Sequence, residues 1–211
     1  LTKALEICTD ALRKINVVAK DEPADADTIE VALGGLRRML LAWQNRGENL
    51  WAVTSDTITA TTDAQHSFSV GRPLDVQSMR LKRDGIETPM NRMTRNEYDE
   101  LPVKASQGLP TNFYFDRQRD VATFKVWPVL ASASGEVFDV TYIRSLTDPV
   151  LTEDTDIPAE WEEAVVYNLA ARLCDDYGRN LPNVVARAKE EFRLASAADC
   201  EGSVYFVGYD Q

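Results

Sequence analysis

The sequence predicts an α+β chain: a four-helix bundle, a β-rich antiparallel insertion between helices 2 and 3, and an extended C-terminal arm. Three observations predict it. Apolar residues recur at three- and four-residue spacing near both ends of the chain, the period of one helical face. From Leu50 onward the pattern becomes strand-like and rich in Thr and Val, residues that suit a pleated surface. Beyond the last helical pattern, residues 203–209 are aromatic and β-prone, where a free terminus is ordinarily polar and frayed. The bounds that follow are 1–49 and 150–200 for a discontinuous helical bundle, 50–149 for the insertion and 201–211 for the arm.

Taken in order, 2–15 read as the first helix, with Leu1, Leu5, Cys8, Leu12 and Ile15 on one face. After a polar loop, a second helix spans about 25–46, capped by Asp25 or Asp27 and ended by Gly47. Its inward face is Ile29, Leu33, Leu36, Leu40 and Trp43. Gly34-Gly35 in its middle costs about 1 kcal/mol per Gly against Ala, which a close helix crossing explains more simply than a bend. Within the insertion, VQSMRLK at 76–82 alternates, and Asp84-Gly85 signals a hairpin turn. Thr94 and Glu97 match a capping box, so 94–101 read as a short helix. Strands at 113–115, 121–127 and 137–143 read as three antiparallel neighbours.

The central helix is read at 157–178, with Asp156 as N-cap, Glu160, Glu162 and Glu163 at the positive end of its dipole, and Gly178 as a left-handed C′ residue. Trp161, Val165, Val166, Leu169, Ala170, Leu173 and Tyr177 cover an arc of roughly 180° at about 100° per residue. A helix this apolar requires neighbours on at least two sides, from its own chain or from another copy. The last helix, Pro182–Ala198, faces inward with Val184, Val185, Ala188, Phe192 and Ala195.

Composition narrows the function. The net charge is −11, from 23 basic and 34 acidic residues. That disfavours a general grip on nucleic acid, which depends on Lys and Arg, but does not exclude a surface past which DNA must slide without sticking. No apolar run is long enough to span a membrane, and no signal peptide is visible. Cys8, Cys174 and Cys200 are odd in number and widely spaced, which fits neither a disulfide framework nor a zinc site. Cys8 and Cys174 read as small buried hydrophobes, and synthesis in a reducing cytoplasm follows.

No catalytic, cofactor-binding or metal-binding residue is predicted, and the expected protein is not an enzyme. The single histidine, His66, lacks partners at recognisable spacing and reads as a surface or loop residue. The carboxylates Asp154, Asp156, Glu160, Glu162 and Glu163 could serve a hydrolase or nuclease, yet helix capping already accounts for them. Arg172 with Asp175 or Asp176 is either an intrahelical ion pair or a device that sets register between subunits. Arg80, Lys82, Arg83, Arg92 and Arg95 lie together in the insertion. A solvated hairpin is their simpler reading, and a tip that meets an acidic partner or the DNA backbone the functional one.

The segment EAVVYNLAARL at 163–173, followed by DYG at 176–178, resembles the central helix of phage head-to-tail adaptor proteins of the packaged-DNA stabilisation and tail tubular protein A-like kind. The resemblance extends to ALRKINV at 11–17, where Asn16 replaces the usual Gly, and to RMLLAWQ at 38–44. It also covers GLPTNFY at 108–114, FKVWP at 124–128 and DIPAE at 156–160. It implies a structural adaptor in the virion, made in the bacterial host cytoplasm, that forms a homo-oligomeric ring, expected to be a dodecamer, below the portal protein. The ring would extend the DNA channel and dock the tail nozzle or tail-tube protein, with DNA passing unbound and no membrane involved. On this reading Trp161, Val165, Tyr167, Asn168, Arg172 and Asp175 form the subunit interface. Val204, Tyr205, Phe206, Val207 and Tyr209 contact the portal or a neighbour. A neck or tail-completion protein at another level of the channel is the alternative, with a carboxylate-based hydrolase or nuclease behind it.

Overall fold

The computed structural model describes residues 2–45, 50–68 and 72–198. Two compact units divide the chain, one from Leu1–Leu50 with Leu146–Gln211, the other Trp51–Ser145.

The first unit contains α1 (Ala4–Lys14), α2 (Ala26–Gln44), α4 (Glu162–Asp176) and α5 (Pro182–Ala198). The helix α4 packs against α1, α2 and α5, so its broad apolar arc is met by its own chain. Its start differs from the sequence reading. A 3-10 turn at Ala159–Trp161 precedes it, and the Asp156 carboxylate accepts instead from the Thr147 N–H at 3.3 Å. Its end is closed by a Schellman motif: Gly178 has φ +59, the Arg179 N–H donates to Cys174 O and the Gly178 N–H to Asp175 O. The end of α1 repeats the device. Asn16 sits at φ +56, with Val17 N–H on Leu12 O and Asn16 N–H on Arg13 O. Asn tolerates the left-handed region, which is why it can stand where the resembling helices carry Gly.

The pair Gly34-Gly35 divides into two different positions. A Cβ on Gly35 would lie 3.2 Å from Leu169 Cδ1 and 3.6 Å from Leu173 Cδ2, so this glycine is the close approach of α2 to α4. A Cβ on Gly34 would meet only the flexible Arg38 guanidinium, at 3.6 Å. Gly34→Ala is therefore expected to stabilise the unit by about 0.8–1 kcal/mol through helix propensity. Gly35→Val should destabilise it by about 1–3 kcal/mol through overpacking. Chemical denaturation of the two variants checks the pair, and equal shifts would refute the close crossing.

The second unit holds two four-stranded sheets and the short helix α3 (Arg95–Asp99). The strands are β1 (Val53–Thr59), β2 (Gln65–Ser67), β3 (Asp75–Arg83), β4 (Ile86–Pro89), β5 (Asn91–Met93), β6 (Asn112–Asp116), β7 (Thr123–Trp127) and β8 (Val137–Ile143). One sheet has the order β1-β8-β3-β4, the other β2-β7-β6-β5. Residues from both share one core, including Met79, Leu81, Phe113, Phe124, Phe138 and Tyr142. In β3 the register with β8 shifts between Val76 and Ser78. Without that bulge strict alternation would turn Ser78, Arg80 and Lys82 toward the same side as Val76. The extra residue instead buries Met79 and Leu81 and leaves the cations exposed.

The four-helix-bundle expectation is corrected by this architecture. Among the described residues the chain is α+β, with five α-helices and two four-stranded sheets. The fourth long helix does not close a bundle. Only Ala188 and Ala195 of α5 are buried, a narrow seam that lets it lie along α4 and reach α2 through Phe192 on Trp43. The β part is also not wholly antiparallel, since β5 pairs with β6 in parallel. The expected arm at 201–211 lies outside the described residues.

Candidate interaction surface

At the C-terminal end of α4 the seam between α2, α4 and α5 opens into a groove of about 470 Å³. Met39 and Trp43 of α2 lie at its floor, both buried, with Cys174 of α4 and Val185 and Ala188 of α5 along its sides. Arg172, Asp175, Arg179 and Lys189 stand at its rim. Trp43 is fixed from behind by Trp161 and Phe192, at ring-centroid distances of 5.6 and 4.9 Å. Asn168 binds the walls together: its Nδ2 donates to Ala164 O at 2.8 Å and to Ala188 O at 2.9 Å.

The residues predicted for a subunit interface fall into two groups. Trp161 and Val165 are buried in the unit's own core. Tyr167 accepts from Lys14 Nζ at 3.0 Å, a bond that, with Glu163 nearby, holds the Lys14 ammonium above its ordinary pKa despite partial burial. Asn168 is occupied as described. Arg172 and Asp175 are exposed, and neither forms an ion pair with a described residue. Lys189 is likewise unpaired, while Arg179 donates to the Asn16 carbonyl at 3.4 Å. The intrahelical pair read for Arg172 is therefore absent, and the groove keeps a net positive rim on an acidic chain.

The basic residues of the β unit are placed otherwise. Arg80 and Lys82 reach Glu87 at 3.1 and 3.7 Å, and Arg83 reaches Glu136 at 3.4 Å. Arg92 and Arg117 both bind the Asp75 carboxylate, at 2.8 and 3.0 Å. Burial pushes the Asp75 pKa up, but the two guanidiniums outweigh it and hold the carboxyl below its ordinary range. Only Arg95 of the five is without an ion pair among the described residues. Apart from Glu136, whose side chain is buried, these pairs are exposed and contribute little each, so they orient side chains more than they stabilise the sheet.

The carboxylates around the start of α4 are dispersed into separate tasks. Glu162 accepts from Thr2 Oγ1 at 2.6 Å and Glu163 lies 3.7 Å from Lys14 Nζ. Among the described residues no group of three or more His, Cys, Asp or Glu side chains gathers to hold a metal, and no helix is long and apolar enough to cross a membrane. Burial raises both described thiols, Cys8 to about 12 and Cys174 by burial and then Asp175. Val204, Tyr205, Phe206, Val207 and Tyr209 lie outside the described residues, as does Cys200.

His66 is where sequence reasoning failed most plainly. It is 6% exposed, stacked on Phe124 at 5.2 Å and edge-on to Phe138 at 4.9 Å. Its Nε2 accepts from the Thr61 N–H at 3.1 Å, which places the proton of the neutral ring on Nδ1. Burial lowers its pKa, partly opposed by Asp63. The signal was present: Gln65-His66-Ser67-Phe68 alternates, setting His66 on the face of Phe68. With a folded pKa below the unfolded value of about 6.5, the unfolded chain binds the proton more readily. Stability is complete above that value and is lost as pH falls through and below it. The melting temperature of the β unit is expected to drop between pH 7 and pH 5, and His66→Phe should flatten that slope. Because the chain has one histidine, an unchanged slope in the variant would refute the assignment.

The helical unit thus carries a preformed groove with a charged rim. The SU10 adaptor protein family model matches residues 2–200, and the chain belongs to that family. It is a phage adaptor protein. No curated protein matches the chain.

Proposed function

We propose that the chain is a ring-forming head-to-tail adaptor of the packaged-DNA stabilisation or tail tubular protein A-like type. It assembles below the portal as a dodecamer, extends the DNA channel and docks the tail. The observation that carries this reading is α5. It is laid on α4 by a seam of two alanines, and away from the groove it leaves Leu194 exposed at 48%, on an outer face suited to a neighbouring copy. A closed ring needs two different complementary sides on each subunit. The groove rim at Arg172 and Asp175 offers one, and the outer face of α5 the other. Val204 to Tyr209 contact the portal or a neighbour, and the β unit, with Arg80, Lys82, Arg83, Arg92 and Arg95, faces the tail. The net charge of −11 favours a channel that lets DNA pass without specific binding.

Electron microscopy of the full chain mixed with its cognate portal ring tests the proposal. The expected result is a twelvefold collar on one face of the portal. A bare portal beside free subunits would overturn it and favour a neck protein at another level.

A further inference from the structure

We propose that the two edges of the sheet β1-β8-β3-β4 pair between neighbouring copies of the chain, β1 of one copy adding to β4 of the next. The edge at β1 is open. It is seven residues long and carries no Lys, Arg or Pro, the devices by which a sheet keeps its edge from pairing. Among the described residues its one neighbouring strand is β8. The edges of the other sheet, β2 and β5, have only three residues each.

Hydrogen bonding at the strand ends fixes what each edge offers. The Arg144 N–H donates to Ala52 O and the Ala60 N–H to Glu136 O. Since Val53 stands opposite Ile143 and Thr59 opposite Val137, the even-numbered residues of β1 are the ones bonded to β8. Val53, Ser55, Thr57 and Thr59 therefore turn their N–H and C=O groups outward. The Thr57 N–H accordingly finds only a side chain, the Asp56 carboxylate at 2.8 Å. At β4 the Met90 N–H donates to Met79 O, and Pro89 stands opposite Arg80. Glu87 thus has both backbone groups outward, and Pro89 its C=O alone.

Three features make a second copy's β4 the occupant. The first is direction. Each neighbouring pair in the sheet is antiparallel, so β1 of an equally oriented copy runs antiparallel to β4 and continues the alternation. The second is the match of faces. Ile58 packs against the core of the unit. Ile86 lies on the core face too, two residues from Thr88, the partner of buried Leu81, yet it is 68% exposed. With Thr57 opposite Glu87, Ile58 comes opposite Ile86, and the Ser55 N–H meets the Pro89 carbonyl. A shift of two residues would set Ile86 against Asp56 or carry it past the end of β1. The third is charge. Asp56 is the one charged residue of β1, while the hairpin at 80–87 sets Arg80, Lys82 and Arg83 against Asp84 and Glu87. A contact between two different edges propagates from copy to copy and closes where the rotation closes. It rests on the adaptor reading for that closure alone.

The test is cysteine trapping in the full-length chain, with Cys200→Ser as background and the buried Cys8 and Cys174 left in place. Ile58→Cys and Ile86→Cys variants are mixed and oxidised, both free and with the cognate portal ring. A non-hydrogen-bonded antiparallel pair holds its Cα atoms about 4.5 Å apart, within reach of a disulfide. The 58–86 link is expected to form roughly tenfold faster than the link between Thr54→Cys and Ile86→Cys, because pairing raises the effective concentration of the matched cysteine. Adding Thr57→Pro, which removes an outward N–H and spares the ladder to β8, should bring the first rate down to the second. A 58–86 rate no higher than the control in either setting would overturn the inference. So would a majority of 58–58 or 86–86 products, which would assign the edges to a twofold contact. A collar on the portal without the 58–86 link refutes the edge pairing alone, and the link without a collar refutes the portal reading alone.

Discussion

Trp161→Ala is expected to cost the helical unit about 3–5 kcal/mol, the range for removing a large buried aromatic side chain. Trp161 is 2% exposed and lies in the 3-10 turn that leads into α4. Its ring is 5.6 Å from Trp43 and 5.7 Å from Phe192, so one side chain joins the C-terminal end of α2 to the distal half of α5. The alanine variant loses the transfer free energy and leaves a cavity in a position where neither neighbour can follow. Since α5 has only two buried residues of its own, its attachment should weaken more than that of α1. Urea unfolding followed by far-UV circular dichroism should show a lower midpoint at unchanged slope. Hydrogen exchange should show earlier loss of protection in α5 than in α1. A loss below about 1 kcal/mol would mean that the site collapses around the missing ring, and that the aromatic trio does not hold the helix.

What the sequence disclosed, and what it hid, follows from the range of the interactions involved. Local signals were readable. The bounds of α5, the cap of α3 by Thr94 with Glu97 and the left-handed turn at Gly178 all depend on residues a few positions apart. The start of α4 was misread because Asp156 had two ways to be satisfied, and the Thr147 amide, nine residues away, took the carboxylate. Strand partition was not readable either. Period-two patterns at 113–115, 121–127 and 137–143 look alike, yet β8 leaves β6 and β7 to pair with β1 and β3, a choice made by packing of the whole unit. The bundle expectation failed for a similar reason. Four amphipathic helices suggest mutual closure, but the small residues along α5 bury only a narrow seam on α4 and leave a groove. That groove gathers Arg172, Arg179 and Lys189 from separate turns of chain, and no spacing in the sequence brings them together.

In the β unit the largest loss is expected from Phe124→Ala, again about 3–5 kcal/mol. Phe124 is fully buried near the start of β7, where it meets rings from both sheets. Its centroid lies 5.3 Å from Phe68, 5.5 Å from Phe138 and 5.2 Å from His66. Edge-to-face pairs of this kind contribute about 0.5–1.5 kcal/mol each beyond buried area, and the stacked imidazole depends on the same ring for its burial. Truncation should therefore admit water to His66 and raise its pKa back toward the ordinary value. Two readouts separate this from a simple cavity effect. The urea midpoint of the β unit should fall, and the histidine titration followed by NMR should move up in the folded variant. Phe124→Leu, which keeps most of the volume, should recover much of the stability while leaving His66 less shielded than in the parent chain. If the titration stays in place while the midpoint falls, burial of the imidazole rests on Phe138 and the two sheets, not on the stack with Phe124.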